Sequence, residues 1–168
     1  MQQKFKDMVK TLKKPGEAIL AQMTAEKCDL MHMGCGIVGE LIEVEQGRWK
    51  GDKANVHEEL GDTLFFLEGL CQIIGHEPKR TESRIKHSLG GDILDLVKKV
   101  FAYNEALKLQ EIKGDIDGVY THICELAEAY KFEMDDLEDA NIKKLMTKRY
   151  PNGYSDQAAA ERADKVAT

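Results

Sequence analysis

Residues 32–43 read HMGCGIVGELIE, and residues 58–62 read EELGD. Both segments have the apolar spacing of helices. Each carries two acids three residues apart, Glu40 with Glu43 and Glu59 with Asp62. Because residues i and i+3 share one face of a helix, each pair can direct two carboxylates at one point. The sequence therefore predicts two helices that bring four carboxylates together if they pack against each other.

Basic residues are missing around both acid pairs. Lys and Arg are absent between Asp29 and Gly47, where four acids lie, and between Ala54 and Pro78, where five lie. A solvated helix normally mixes both signs, and two unit charges about 4 Å apart repel by roughly 4 kcal/mol at an effective dielectric constant of about 20. The carboxylates therefore need a cation, and magnesium binds carboxylates together with substrate phosphates. We predict a Mg²⁺ site acting on a phosphate ester or anhydride; the alternative is the solvated face of two ordinary amphipathic helices.

The composition indicates a single globular domain. The chain has 168 residues, of which 42% are apolar and 32% charged. Its net charge of −6 argues against nucleic acid or an anionic membrane as the main partner. No apolar run approaches the roughly 18 residues of a membrane span, and the Lys-rich start lacks a signal-peptide core. The four cysteines show no paired spacing, so we expect reduced, buried thiols in a cytoplasmic protein.

Apolar periodicity and capping residues predict the helices of the first half. A short helix is expected over Phe5–Leu12. Thr24 can cap a long helix that ends near Gly47, with residues 48–51 as the turn. Asp52 can cap a second helix that ends at Gly75. The apolar stripes of these two helices are Leu30, Met33, Ile37, Leu41 and Val44, then Val56, Leu60, Leu64, Leu67, Cys71 and Ile74.

The second half repeats the first in degenerate form. GDILD at 91–95 resembles GELIE at 39–43, and DIDG at 115–118 replaces the last acid of the second motif by Gly118. We interpret 28–75 and 88–130 as a possible repeat that builds a four-helix core in one domain of residues 1–168. A fifth helix is expected over 135–150, followed by a short helix capped by Ser155 and running to Lys165. With no strand pattern present, the predicted fold is an all-α helical bundle.

The two acid motifs, with fifteen residues between them, precede a distinctive ending. Residues 141–155 read NIKKLMTKRYPNGYS, and residues 159–165 read AAERADK. Together these features resemble the all-α nucleoside triphosphate pyrophosphohydrolases, the MazG-like and dimeric dUTPase-like superfamily. The resemblance covers about residues 16–78 and 138–166, and no motif matches 79–137. Many members have Glu before the first motif acid, whereas this chain has Gly39, so the number or affinity of its metal ions should differ.

The resemblance implies an activity and a set of metal ligands. Members hydrolyse nucleoside triphosphates, often deoxy or non-standard ones, to monophosphate and pyrophosphate, a house-cleaning or pool-control role. By correspondence, Glu40, Glu43, Glu59 and Asp62 would bind Mg²⁺, with Mn²⁺ as a possible substitute. Either Glu58 or Glu43 could orient or deprotonate the attacking water. Oligomers are usual in the family, so a homodimer is expected, with a tetramer second.

Candidate substrate-binding residues lie mainly in the ending motif. Arginine can grip phosphate through two parallel hydrogen bonds, and lysine acts as a point charge. Trp49 could stack on a base, although a tryptophan in a connector usually serves packing; Lys50 and Lys53 beside it are secondary phosphate candidates. His32 could face the substrate or serve helix packing. The motif residues in the set are Asn141, Lys144, Arg149, Tyr150, Arg162 and Lys165.

Other functional classes fit the sequence less well. Cys28, His32 and Cys35 share one helical face, but a zinc site needs a fourth ligand, and none is evident. A di-iron bundle would use Glu-x-x-His motifs, which this sequence lacks. The principal alternative to an enzyme is a non-catalytic helical interaction protein, which would need neither the four acids nor the basic ending.

Overall fold

A computed structural model of the chain describes residues 1–82, 88–102 and 106–162. Within these ranges the regular structure is helical and no strand occurs, which confirms the predicted all-α class. None of the helices described has both the length and the apolar character needed to cross a lipid bilayer. The α-helices are α1 (Gln3–Leu12), α2 (Gly16–Leu20), α3 (Ala25–Lys50), α4 (Lys53–Ile74), α5 (Leu89–Val100), α6 (Leu109–Tyr130), α7 (Met134–Lys143) and α8 (Asp156–Glu161).

The hairpin of α3 and α4 has the predicted caps. Thr24 Oγ1 accepts a hydrogen bond from the Lys27 N–H at 3.2 Å, and Asp52 Oδ1 accepts one from the Asn55 N–H at 3.0 Å. Both bonds satisfy amide groups that have no partner inside the helix. Gly75 ends α4 with a φ of +62°, in the left-handed region that glycine tolerates.

The predicted end of α3 at Gly47 is wrong. The helix continues to Lys50, and Gly51, with a φ of +70°, is the residue that ends it. Gly47 is buried in the helix instead, because a Cβ there would come within 2.6 Å of Asn55 Oδ1. This glycine therefore permits close packing of α3 on α4 rather than a turn.

Four helices form the core, as predicted. α3 packs against α4 and α5, α4 also packs against α6 and α7, and α5 packs on α6. Close packing of apolar side chains fixes the helices relative to one another, so the polar groups on their inner edges have fixed positions too. Fully buried core residues from all four helices include Ile37, Val44, Val56, Leu60, Ile93, Leu96, Ile116 and Ile123.

Two acids of the second helical pair, α5 and α6, lie beside bases. Asp92 Oδ2 is 2.7 Å from His122 Nδ1, and Lys99 Nζ is 2.5 Å from Asp115 Oδ2. A Cβ at Gly118 would lie 3.5 Å from Asp92 Oδ2, so Gly118 faces this acid across α5 and α6. The interpretation of this pair as a degenerate repeat stays a prediction.

The C-terminal part is helical with one distortion. The expected helix over 135–150 appears as α7 followed by a π-helical turn, Lys144–Arg149. Ser155 Oγ accepts a hydrogen bond from the Ala158 N–H at 3.1 Å and so caps α8, as predicted. The described part of α8 ends at Glu161, and Lys165 lies outside the described residues.

The cysteines only partly follow the expectation of buried thiols. All four are free, but Cys28 and Cys35 are exposed on α3, whereas Cys71 and Cys124 are buried. Burial raises the pKa of Cys71 to about 12, so that thiol is protonated at neutral pH.

Candidate active site

Three of the four predicted metal ligands meet where α3 faces α4. Glu40, Glu43 and Glu59 each offer one oxygen, and these oxygens lie within 4.8 Å of one another. Glu40 and Glu43 are three residues apart on α3, and the packing of α4 on α3 brings Glu59 to them. Magnesium and calcium bind oxygen at about 2.0–2.6 Å, so one ion can contact three oxygens at this separation.

Glu59 is held deep in the helix hairpin. Only 1% of its surface is exposed, and its Oε1 accepts a hydrogen bond from Asn55 Nδ2 at 2.9 Å. Gly47 leaves the space that the Asn55 side chain occupies, so the close packing of the hairpin also orients this carboxylate. A carboxylate at this depth has lost most of its hydration and is stable only with donors or a cation nearby.

The electrostatics of Glu40 reflect this crowding. Burial raises its pKa most, followed by the charge of Asp62, a hydrogen bond with Glu59, and the charges of Glu59 and Glu43, to about 8. Glu40 therefore carries a proton at neutral pH when no cation is bound. The donor set, with one deeply buried carboxylate and another driven to protonate, is one that a hard divalent cation fits.

Asp62 is close to the cluster but is bound from the C-terminal side. Lys144 Nζ lies 2.5 Å from both of its carboxylate oxygens, and Asn141 Nδ2 donates to its Oδ1. Lys144 also lies 3.3 Å from Glu58 Oε1. Lys144 therefore supplies a positive charge to this part of the site. The stretches between Asp29 and Gly47 and between Ala54 and Pro78 contain no Lys or Arg that could do so.

A cavity of about 560 Å³ opens beside these acids. Its wall includes carboxylates, aromatic rings and arginines. Such a combination suits a ligand with an anionic part and a flat apolar part, because guanidinium groups bind phosphate and rings pack on bases. The lining residues that carry this argument are Glu40, Glu43, Asp62, Phe65, Phe66, Arg149, Tyr150, Tyr154 and Arg162.

The segment after α7 closes the cavity on one side. The π-helical turn ends where the Tyr150 N–H donates to Leu145 O at 2.7 Å. Arg149 lies with its guanidinium carbon 5.4 Å from the Tyr150 ring centre, and its Nη2 is 3.5 Å from Ala159 O. The Tyr150 and Tyr154 rings are 5.5 Å apart. These contacts hold a cation and two rings at the cavity wall.

The remaining predicted residues lie elsewhere. Trp49 is 90% exposed near the end of α3 and does not line the cavity. Lys53 is exposed at the start of α4, as is Lys50 at the end of α3. Glu58 lines a different pocket together with Lys144, and Lys165 is outside the described residues. In the described part of the chain, Cys28, His32 and Cys35 do not form a group with metal-ligand spacing.

The sequence motifs included Tyr150 of the aromatic wall but did not assign Phe65 and Phe66 to the site. Phe65 and Phe66 follow the second acid motif off the apolar stripe of α4, and their rings make an edge-to-face contact at 5.2 Å. Phe66 lies over Gly36, where a Cβ would collide with its ring. Two phenylalanines off the stripe, with a glycine on the facing helix, were the available signal. His32, by contrast, lines the cavity, as one of its two interpretations allowed.

The sequence model of a family described as dUTPase matches residues 38–154. The chain belongs to the dUTPase family. No curated protein and no solved structure matches the chain. The match includes both acid motifs and also residues 79–137, for which the sequence motifs gave no assignment. It confirms the resemblance to the all-α nucleoside triphosphate pyrophosphohydrolases, and membership of the dUTPase family supports nucleoside triphosphate hydrolysis as the general activity.

Proposed function

We propose that this dUTPase family member is a Mg²⁺-dependent pyrophosphohydrolase that converts a nucleoside or deoxynucleoside triphosphate to the monophosphate and pyrophosphate. The observation that carries the proposal is the cluster of Glu40, Glu43 and Glu59, whose first two members line a cavity that also presents Arg149 and Arg162. Carboxylates alone would repel the substrate, and arginines alone would bind it without reaction. A house-cleaning or nucleotide-pool role would follow from this activity.

In this proposal the acidic groups of the chain hold the ion, and one of them, Glu43, also accepts a proton from water. Glu40, Glu43 and Glu59 would hold the ion, joined by Asp62 when Lys144 releases it. Bound there, Mg²⁺ supplies positive charge that offsets the carboxylates and the departing pyrophosphate. Mn²⁺ is expected to substitute, because it prefers the same oxygen ligands.

Glu43 is better placed than Glu58 to activate water. Glu43 lines the cavity, whereas Glu58 lies 3.3 Å from Lys144 and lines another pocket. In the proposed reaction, Glu43 accepts a proton from water while the water oxygen bonds to the α-phosphorus. The bond from that phosphorus to the oxygen bridging to the β-phosphate breaks, and pyrophosphate leaves with the electron pair.

The phosphates and the base would contact different groups of the cavity lining. Arg149 and Arg162 can bind the β- and γ-phosphate oxygens, and Lys144 can join them once it leaves Asp62. Phe65, Phe66 and the two tyrosines then leave a flat apolar space for the base. Trp49 has no part in this arrangement because it does not line the cavity.

Pyrophosphate release from a panel of nucleoside triphosphates, beginning with dUTP, tests the proposal. We expect release that requires Mg²⁺ and falls at least about 100-fold in Glu59→Gln. Glu45→Gln is the matched control, because Glu45 is an exposed acid of α3 that pairs with Arg48 and does not line the cavity. The absence of Mg²⁺-dependent release from every nucleotide would instead favour a non-catalytic helical interaction protein.

A further inference from the structure

The first helix has an apolar stripe that the rest of the described chain does not cover. Phe5, Met8, Val9 and Leu12 lie at positions i, i+3, i+4 and i+7 of α1, and their exposed fractions range from 42% to 74%. This spacing is the one by which an amphipathic helix binds a groove on a partner. Lys4 borders one side of the stripe and Lys6 the other. α1 lies outside residues 38–154, so the family match assigns it no role.

A groove of about 430 Å³ lies on another face of the molecule, between α4, α6 and α7. Its floor is apolar and includes Leu67 and Tyr120, while Phe65 and Ile142 are exposed at its edge. Of the described residues, the charged ones that line it are all acidic. We name it the α4–α7 groove, defined by Gly61, Leu64, Phe65, Leu67, Glu68, Glu77, Pro78, Tyr120, Glu138, Asn141 and Ile142.

We propose that the α4–α7 groove binds α1 of a second copy of the chain. The two surfaces are complementary both in apolar character and in charge. The stripe of α1 is apolar and flanked by lysines, whereas the groove has an apolar floor and carries Glu68, Glu77 and Glu138. Apolar contact supplies the affinity, and the opposed charges select this partner and this orientation.

A second copy is the occupant because each chain carries both surfaces. Reciprocal exchange of α1 gives a two-fold symmetric dimer in which each copy contributes one helix and one groove. The exchange doubles the buried area, which matters because stable interfaces bury roughly 1,200–2,000 Å² in total. A short helix of about 15 Å is enough to place four apolar side chains in one groove.

A charge exchange tests the proposal by sedimentation of the full chain. The wild-type chain is expected to be a dimer at micromolar concentration. Lys4→Glu with Lys6→Glu, or Glu68→Lys with Glu138→Lys, places like charges at the contact and is expected to weaken the dimer at least roughly tenfold. An equimolar mixture of the two variants restores opposite charges at both contacts, so heterodimers are expected to recover the wild-type affinity.

Matched controls separate docking from general effects of charge. Asp29→Lys with Asp139→Lys makes the same change in net charge at exposed acids that do not line the groove, and it should leave the dimer intact. Val9→Asp, on the stripe, should weaken the dimer more than Thr11→Asp, on another face of α1. A monomeric wild-type chain, charge variants that dimerise normally, or a mixture that stays monomeric would each overturn the proposal.

Discussion

Glu40 is the acid of the cluster whose pKa is raised by burial and by the charges of its neighbours. Its pKa of about 8 lies well above the ordinary value of 4.5, first because the carboxyl is buried and next because Asp62 is nearby. The metal-free protein resolves the repulsion within the cluster by keeping a proton on Glu40. A bound cation would reduce the repulsion instead and would displace that proton. The affinity for the cation should therefore depend on pH.

The stability of the metal-free chain should therefore depend on pH. Because Glu40 binds its proton more tightly in the folded chain, the free energy of unfolding should fall as pH rises from about 4.5 to about 8. Melting temperatures measured with a chelator across this range test the sign. Saturating Mg²⁺ should reduce the slope, since the ion favours the ionised carboxylate. Glu40→Gln should also reduce it, and an unchanged slope in that variant would contradict the assignment to Glu40.

Lys144 is the second residue with a separable role. Its side chain is only 13% exposed and lies 2.5 Å from Asp62, so it stands in the position of a counter-ion. Replacing it by methionine should destabilise the metal-free chain by about 1–3 kcal/mol, because Asp62 loses its charge partner. Mg²⁺ should then raise the melting temperature more than in the wild type. Lys148→Met, at an exposed neighbouring position, serves as control. If Mg²⁺ raised the melting temperature equally in the wild type and in both variants, Lys144 would not act as the counter-ion of Asp62.

At the scale of elements, the sequence predicted the hairpin of α3 and α4 well. Both N-caps form as expected, because Thr24 and Asp52 each come directly before a long stretch with helical apolar spacing, and few neighbouring residues could serve as the cap. Gly47 was misassigned because a glycine in a helical pattern can mark either a helix end or close packing. The sequence alone does not distinguish these two situations, since the atoms that need the space belong to the facing helix.

The two kinds of glycine can be separated by experiment. Gly47→Ala should destabilise the fold by about 1–3 kcal/mol, because its Cβ would meet Asn55 Oδ1 at 2.6 Å and Val56 Cγ2 at 3.0 Å. Gly39→Ala in the same helix has nothing within 4 Å of its Cβ and should stabilise by up to about 1 kcal/mol. Urea unfolding measures both. A stabilising Gly47→Ala would mean that α3 and α4 pack less closely than described.

The candidate site was predictable in part. The absence of Lys and Arg near Glu40 and Glu59 pointed to a cation, and helical spacing pointed to shared faces. The contact between Lys144 and Asp62 joins residues 82 positions apart and depends on the path of the π-helical turn, which no local pattern specifies. Phe65 and Phe66 were not assigned to the site because their positions fit equally well with burial on a second side of α4.

At the scale of the whole molecule, the acids of the two helical pairs have different neighbours. In the second pair, His122 lies beside Asp92 and Lys99 beside Asp115, and His76, which follows α4, has its Nε2 2.8 Å from Asp117 Oδ1. In the first pair, by contrast, no Lys or Arg lies between Asp29 and Gly47 or between Ala54 and Pro78, the stretches that hold Glu40, Glu43 and Glu59. The two pairs therefore differ, because Asp92 and Asp115 have a basic partner within the second pair, whereas the acids of the first pair lie in stretches without Lys or Arg.

This asymmetry predicts which acids control the response to metal. Mg²⁺ should raise the melting temperature of the wild-type chain and of Asp92→Asn by the same amount, because Asp92 is already paired with His122. Glu59→Gln should abolish the increase. Thermal unfolding at a series of Mg²⁺ concentrations measures all three proteins. An Asp92→Asn variant that loses the response would place the cation in the other helical pair.

The contact between Lys144 and Asp62 also bears on whether the protein stays folded when no metal ion is bound. Because the Lys144 amine and a proton on Glu40 offset part of the charge of the carboxylates, we expect the chain to fold without an ion. We expect chelator-treated protein to remain native and to regain activity within the time that an ion takes to bind. A cell depleted of magnesium would then hold a dormant reserve of this protein and would need no new synthesis when the ion returned.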